Sequence, residues 1–499
     1  MQNSHRQLIF RMLKSQQYIF IAIALTSPLI LWALCQLLPT FDDWSYYTAP
    51  YNGSFFSSRW LPIASWWRPF DHVFGWIVGL NYRLFPTLNH VFVYAAHLLN
   101  TYLLWRIAGQ LSFSQFGRNI AVLFFYLSPA TLGTVTGIDS MNQAYSHLWG
   151  LAAMTIYFRG KREDYGEASS ARDGEKKGES LAYTIYIACI LIATLCKENG
   201  YMWAIIIPLV AWGFSLTDRR RLLRDWMLAI VLGVVYFIVR IILTTNQVEI
   251  NNEYFDVTIT NRLKDIATFI GLTWIPVDYV ALVYPPERNL FLVGITFIFG
   301  MPFILYAYFA NPRNIFKKPH IVLFASIFLA ALPHLITLFT TMHTYASLSM
   351  AALAIAWLCE QLKNKKIIIL FFILYIINAV GVDFHHGIEA YKSGLIGKKM
   401  GIETKEKTGK PVDSVAVIFI DTDEPKYSSF CVIPYHAFGW GNAVMYETGY
   451  QWPNNFEYIE IKINKNAKKE AYRIAKEYIK NNTCQCAWII EKNKVEVIK

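Results

Sequence analysis

The chain has 499 residues, 55% of them apolar and 16% charged, a net charge of +11 and a mean hydropathy above zero. Ordinary soluble domains carry about 25% charged residues, so the deficit argues against a conventional soluble enzyme. The basic excess fits cytoplasmic loops of a polytopic membrane protein rather than nucleic-acid binding, and 16 tryptophans and 30 tyrosines fit interfacial aromatic belts. Of seven cysteines, Cys35, Cys189, Cys196 and Cys359 lie in apolar stretches, Cys431, Cys484 and Cys486 in the polar tail. No spacing among them reads as zinc ligation.

Residues 18–38 form a first span long enough to cross the hydrocarbon core. Arg6, Arg11 and Lys14 precede it and place the N-terminus inside. The run ends at Leu38-Pro39 without a small-residue cleavage site, so it reads as a retained anchor. The loop from Phe41-Asp42-Asp43-Trp44 through Trp66-Trp67-Arg68-Pro69-Phe70-Asp71-His72 is the densest mix of carboxylates, arginine, histidine and aromatics in the chain. Ionisable groups at membrane depth need water or a partner, so this external loop, 39–87, is the expected functional centre. Within it, 70–85 has helical apolar spacing but is short for a crossing, and reads as a surface helix.

Further spans are expected near 88–108, 119–136, 143–158, 181–196, 200–216 and 226–244. Arg159, Lys161, Arg162, Arg172, Lys176 and Lys177 share one loop, and Arg219, Arg220, Arg221 and Arg224 another. The opposite connections hold only Lys197, which fixes the orientation. Pro276 and Asp278 interrupt 266–284, which reads as a half-buried or surface helix. Spans near 290–310, 320–340, 345–362 and 367–382 follow. The expectation is an all-α polytopic membrane protein with about eleven transmembrane helices, occupying residues 1–383. From about His385 a Lys- and Glu-rich tail, 384–499, is expected as a small extracytoplasmic α/β domain. Ser414–Ile420 reads as a buried strand, and Ala471, Ile474, Ala475 and Tyr478 mark one helix face. Aromatics and glycines in Tyr435–Gly441 suit a carbohydrate platform or a buried strand and turn.

The layout of one span, an external loop opening on the acidic pair Asp42-Asp43, a surface helix and many further spans resembles the GT-C integral-membrane glycosyltransferases. These take sugar from polyprenyl- or dolichyl-phosphate. Arg68-Pro69-Phe70, with Pro86, His90, His97 and Asn100, is similar to the Arg-Pro and His/Asn pattern of the transmembrane O-mannosyltransferases that carry tetratricopeptide repeats. Cys196-Lys197-Glu198-Asn199-Gly200 resembles their Lys-Glu motif, and Met342-His343-Thr344-Tyr345 sits where they have an acid-Arg-Tyr cluster. The likeness covers roughly 18–380. The chain lacks the repeats and has His343 in place of an arginine.

The resemblance implies a base for the acceptor hydroxyl and cations for the donor phosphate. Asp42 and Asp43 are the catalytic candidates; adjacent helical residues point about 100° apart, so the two are not expected to act together, and Asp42, which matches the family's first acid, is the expected base. Helix capping explains the pair equally well on residues alone. Arg68, His72, Lys197, Arg240 and His343 are the candidate phosphate ligands. Arg240 lies in an apolar span, where snorkelling to the interface is the alternative. Asp139, Asn142, Glu198 and Tyr345 are assigned to the acceptor or sugar. Asp139 resembles the family's second acid, with a divalent cation or a simple turn as the other readings. His90 and His97, seven apart on one helix face, read as interhelical hydrogen-bonding residues.

The partners implied are a polyprenyl-phosphate-linked sugar, a glycan, lipid or protein acceptor and the bilayer; nucleic acid is not among them. The short loops point to a bacterial plasma membrane. A transporter or flippase of a lipid-linked saccharide is the rival reading, and a membrane scaffold with a partner-binding tail the third.

Overall fold

A computed structural model describes residues 18–40, 43–48, 54–56, 60, 67–81, 88–166, 173–243, 258–283, 289–336, 341–421, 444, 455–462, 464–491 and 494–499. Its helices are α1 (Tyr18–Leu34), α2 (Asp43–Thr48), α3 (Pro69–Asn81), α4 (Asn89–Gln110), α5 (Gln115–Tyr126), α6 (Met141–Gly166), α7 (Asp173–Cys196), α8 (Trp203–Gly213), α9 (Arg219–Leu243), α10 (Ile259–Trp274), α11 (Leu290–Phe309), α12 (Lys318–Ile336), α13 (Tyr345–Gln361) and α14 (Lys365–Thr408). A small C-terminal domain adds β1 (Ser414–Asp421), β2 (Asn455–Lys462), α15 (Ala467–Lys480), β3 (Cys486–Glu491) and β4 (Lys494–Ile498).

Helix α13 is the axis of the bundle: every residue from Tyr345 to Cys359 is buried. Its run of Ala and Ser lets neighbouring backbones approach closely, and α5 and α12 pack along it. Outward faces are the reverse. Val231, Val234, Val235, Phe237 and Ile238 on α9, and Phe291, Phe297 and Ile298 on α11, are exposed. Water would not tolerate apolar patches of this extent; lipid does, and the helical part is that of a membrane protein. Among the described residues, five helices are long and apolar enough to cross a membrane, within 219–239, 290–309, 318–335, 342–361 and 365–408. Tyr18–Leu34 and Ser180–Cys196 are shorter apolar helices.

Several expected spans are broken. The run 119–136 splits into α5, a 3₁₀ turn at Pro129–Thr131 and one helical turn at Leu132–Val135, because Pro129 has no N–H to continue the helix. The run 200–216 divides likewise into a 3₁₀ turn, Glu198–Met202, and the 11-residue α8. Helix α3 has 13 residues, about 20 Å at ~1.5 Å per residue, too short to cross. After α10 the chain breaks at Pro276, and Asn378 of α14 donates to the carbonyls of Pro276 and Thr296 at 3.1 and 2.8 Å.

The expected domain boundary near 384 is corrected. Helix α14 runs without a break from Lys365 to Thr408 and ends only at Gly409, whose φ is +81°, a conformation glycine adopts without steric cost. The charged stretch after His385 is thus the second half of one long helix, and the α/β unit begins at about Ser414. Its sheet has the order β2-β1-β3-β4, with β1 parallel to both β2 and β3 and β4 antiparallel to β3. Helix α15 covers one face through Ala467, Ala471 and Ala475. The other face packs Val415, Val417, Phe419 and Trp488 against Met400 of α14 and Trp44 of α2. Tyr435–Gly441 lies outside the described residues.

Candidate active site

Four segments converge: α2 with the start of α3, the turn 137–142, the turn after α7, and the turn 341–344 before α13. Asp43 ties the first two together. Its Oδ1 accepts from the N–H groups of Ile138 at 2.6 Å and Asp139 at 2.9 Å, and its Oδ2 from Thr40 N–H at 3.1 Å. Burial, then the neighbouring Asp139 carboxylate, push its proton affinity up, while the three N–H groups pull the other way. Through these three contacts the Asp43 carboxylate ties the first loop to the turn 137–142. Asp42 lies outside the described residues.

The turn 137–142 depends on Gly137, where a Cβ would lie 2.7 Å from Asp139 Oδ1. It is tied in turn to the 341–344 segment, with Thr134 Oγ1 donating to the Met342 carbonyl at 3.3 Å. Gly200 does the same for the turn after α7: a Cβ there would stand 2.3 Å from the Ala193 backbone. The close approach seats Lys197 and Glu198 against α3.

Arg68, at the entry to α3, donates Nε to Glu198 Oε2 at 2.6 Å and Nη2 to Glu198 Oε1 at 2.5 Å. Burial alone would lower the guanidinium's proton affinity; the Glu198 charge more than offsets it, and the shift is upward. Against the cost of its own burial, Glu198 is held well below the usual carboxylate range by Arg68 and then Lys197. Glu198 is therefore the counter-ion of Arg68 rather than a sugar ligand. Lys197 is 3% exposed, and while its backbone bonds to Ala193 and Gly200, its ammonium makes no hydrogen bond or salt bridge to a described residue. Burial, then the charge of Arg68, lower it to about 8, against the pull of Glu198, Asp139 and Asp71.

Opposite Lys197 stand two carboxylates. Asp139, half-buried, has its proton affinity raised by burial against the opposing charge of Lys197. Asp71, on the first turn of α3, accepts at Oδ1 from the Tyr46 hydroxyl and from Asn142 Nδ2, the latter at 3.0 Å. The Tyr46 hydroxyl also lies 2.9 Å from the Asp139 carbonyl. Burial and then the Asp71 charge push the phenol up, so Tyr46 remains a donor. Asn142 thus orients Asp71. Asp71 itself is not a candidate from sequence, although it lies only two residues beyond the Arg68-Pro69 pair.

His343 does join the site: its ring stacks on His334, centroids 3.8 Å apart and 5° from coplanar, within electrostatic reach of Lys197 and Arg68. His334 is a second residue the sequence analysis missed. A histidine near the end of an apolar span was the available signal. Its buried Nε2 has no hydrogen-bond partner among the described residues.

Two expected ligands are corrected. His72 sits in an aromatic cage of Phe55, Trp60 and Trp76, with Nε2 on the Phe55 carbonyl at 2.9 Å, and packs the loop. Tyr345 is fully buried, its hydroxyl bonded to His97 Nδ1 and Asn100 Nδ2, each at 3.0 Å. It serves the bundle interior, as does His97, whose Nε2 reaches the Tyr126 carbonyl at 3.3 Å. Arg240 lies on α9, and its side chain is outside the described residues.

Among the described residues no three His, Cys, Asp or Glu side chains converge as ligands for a metal ion. Asp43 is committed to backbone N–H groups, and Lys197 places a positive charge beside Asp71 and Asp139. The described residues do not by themselves fit a divalent cation.

No family model and no curated protein matches the chain. Solved structures do. The chain is similar to the oligosaccharyltransferase of Archaeoglobus fulgidus in its apo form, with TM-score 0.43, 14% identity, and 82% of this chain and 60% of that chain covered. It is also similar to the same organism's AglB in complex with an inhibitory peptide and a dolichol-phosphate (TM-score 0.42, 13% identity, 77% and 58% covered). ArnT from Cupriavidus metallidurans bound to undecaprenyl phosphate gives TM-score 0.42 and 10% identity over 96% of this chain and 97% of that one. The chain spans about three fifths of the length of the archaeal proteins.

Proposed function

We propose that the chain is a membrane glycosyltransferase that moves a sugar from a polyprenyl-phosphate donor to a hydroxyl of a glycan, lipid or protein on the extracytoplasmic side. The membrane part crosses about eleven times with the N-terminus inside, in a bacterial plasma membrane, and the α/β domain lies outside. The observation that carries the reading is Lys197. A buried ammonium that makes no hydrogen bond or salt bridge to a described residue, facing the carboxylates Asp71 and Asp139, is a cation kept for an anion, and carboxylates across from it suit proton transfer.

A sugar phosphate carries its own leaving group, so the reaction needs no strong acid. Lys197 meets the phosphate as a point charge, with Arg68 behind it held by Glu198 and the His334–His343 stack beside it. An aspartate of the same site takes the acceptor proton as the hydroxyl oxygen attacks the anomeric carbon from the face opposite the phosphate, and the configuration inverts. Asp139 and Asn142 line the acceptor or sugar side.

The break at Pro276 is the kind of interruption a lipid-saccharide transporter uses, and one assay separates the two readings. Full-length protein in nanodiscs is given radiolabelled polyprenyl-phosphate sugars, and released or transferred sugar is counted. Turnover supports the enzyme. Donor binding without turnover makes the chain a transporter, and absence of binding removes the donor class.

A further inference from the structure

Among the described acids of the site, Asp71 alone combines partial exposure, a fixed orientation and a place for its proton to be accommodated. Asp43 is spent on three N–H groups. Asp139 is held by Ser140 Oγ at 3.3 Å and faces Lys197. Asp71 is half-buried; its Oδ1 is fixed by Tyr46 and Asn142, and its Oδ2 accepts no hydrogen bond among the described residues.

We infer that Asp71 is the carboxylate that takes the acceptor's hydroxyl proton, with Tyr46 as its positioning residue; this rests on the glycosyltransferase reading above. The tyrosine makes the argument. Its hydroxyl has one proton and two acceptors in reach, Asp71 Oδ1 and the Asp139 carbonyl. While Asp71 is ionised, the proton belongs to the carboxylate, the stronger acceptor. When Oδ2 gains a proton and the charge disappears, the same O–H turns to the Asp139 carbonyl without leaving a buried donor unmade. Asn142 Nδ2, 3.3 Å from the Tyr46 oxygen, supports the hydroxyl in both states. The site thus accommodates both protonation states of Asp71, which a general base requires and a structural carboxylate does not.

In the step, a lone pair on the acceptor oxygen forms the bond to the anomeric carbon. The bond from that carbon to the phosphate oxygen breaks, its electron pair leaving with polyprenyl phosphate, and the hydroxyl proton moves to Asp71 Oδ2, from which it passes to water. Arg68, Lys197, Tyr46, Asp139 and Cys196 are the titratable groups facing Asp71.

The test uses full-length protein in nanodiscs and radiolabelled polyprenyl-phosphate sugars, with water as acceptor, reading kcat against pH and the affinity for polyprenyl phosphate. Asp71→Asn should lower kcat by about 100-fold or more, leave the affinity unchanged and abolish the acidic limb of the profile. Tyr46→Phe withdraws a donor from the ionised form, so the limb should persist with its midpoint moved to higher pH. A limb that survives Asp71→Asn, or vanishes in Asp42→Asn instead, overturns the assignment and leaves the enzyme reading intact. Should Asp71→Asn not fold, an unmoved midpoint in Tyr46→Phe overturns it. A wild type inert with every donor sinks both readings together.

Discussion

The Arg68 guanidinium grips the Glu198 carboxylate through two parallel contacts at 2.5 and 2.6 Å, joining residues 130 positions apart. With both side chains only 20% and 25% exposed, this pair fixes the first loop to the turn after α7. The ammonium of the neighbouring Lys197 has no hydrogen bond or salt bridge among the described residues.

Breaking that pair from one side should cost more than removing it. Glu198→Ala strands a half-buried guanidinium and is expected to lower stability by about 2–3 kcal/mol, read by thermal unfolding in detergent. The double variant Arg68→Met with Glu198→Leu should lose less, because no charge is left uncompensated.

Lys197 sets a pH dependence for donor binding. Its proton affinity is lowered to about 8, so the ammonium is present below that pH and lost above it. Affinity for polyprenyl phosphate should therefore be level at pH 6–7 and weaken about tenfold per pH unit above 8. Lys197→Arg, which keeps its charge, should flatten the dependence when titrated by the same binding assay.

Asp43 should behave as a pin. Asp43→Asn retains an oxygen for the Ile138 and Asp139 N–H groups and is expected to keep most activity. Asp43→Ala leaves those donors unsatisfied and should cost about 2 kcal/mol or more along with turnover. A kcat equally low in both variants would instead make Asp43 part of the chemistry.

Trp44 links the C-terminal sheet to the loop. At 1% exposure among Val415, Phe419 and Trp488, its truncation in Trp44→Ala should cost about 3–5 kcal/mol. Limited proteolysis should then cut between 409 and 414 sooner than in wild type, with donor affinity falling as the loop loses its support.

Tyr345→Phe removes a hydroxyl that serves His97 and Asn100 in the interior. Stability should fall by about 1–2 kcal/mol, while the affinity for polyprenyl phosphate stays as in wild type, since the residue touches neither Lys197 nor Asp71. An affinity change without a stability change would return Tyr345 to the site.

The sequence by itself determined the membrane character and a short helix near 70–85, found at Pro69–Asn81, and it singled out Arg68, Lys197, Asp139 and His343 as polar residues in need of partners. These follow from local composition, because charge at membrane depth is costly wherever it occurs. What a carboxylate or ring does there depends on partners far away in the chain, and only the tertiary structure decides it. Asp43 is engaged by N–H groups 95 and 96 residues on, and Tyr345 by side chains about 250 residues back. Asp71 and His334 gain their places from Tyr46 and His343, contacts that no local pattern encodes. The long helix α14 was misjudged for the converse reason: its second half is polar enough to read as a soluble tail, yet nothing before Gly409 stops the helix, and packing against the sheet keeps it whole.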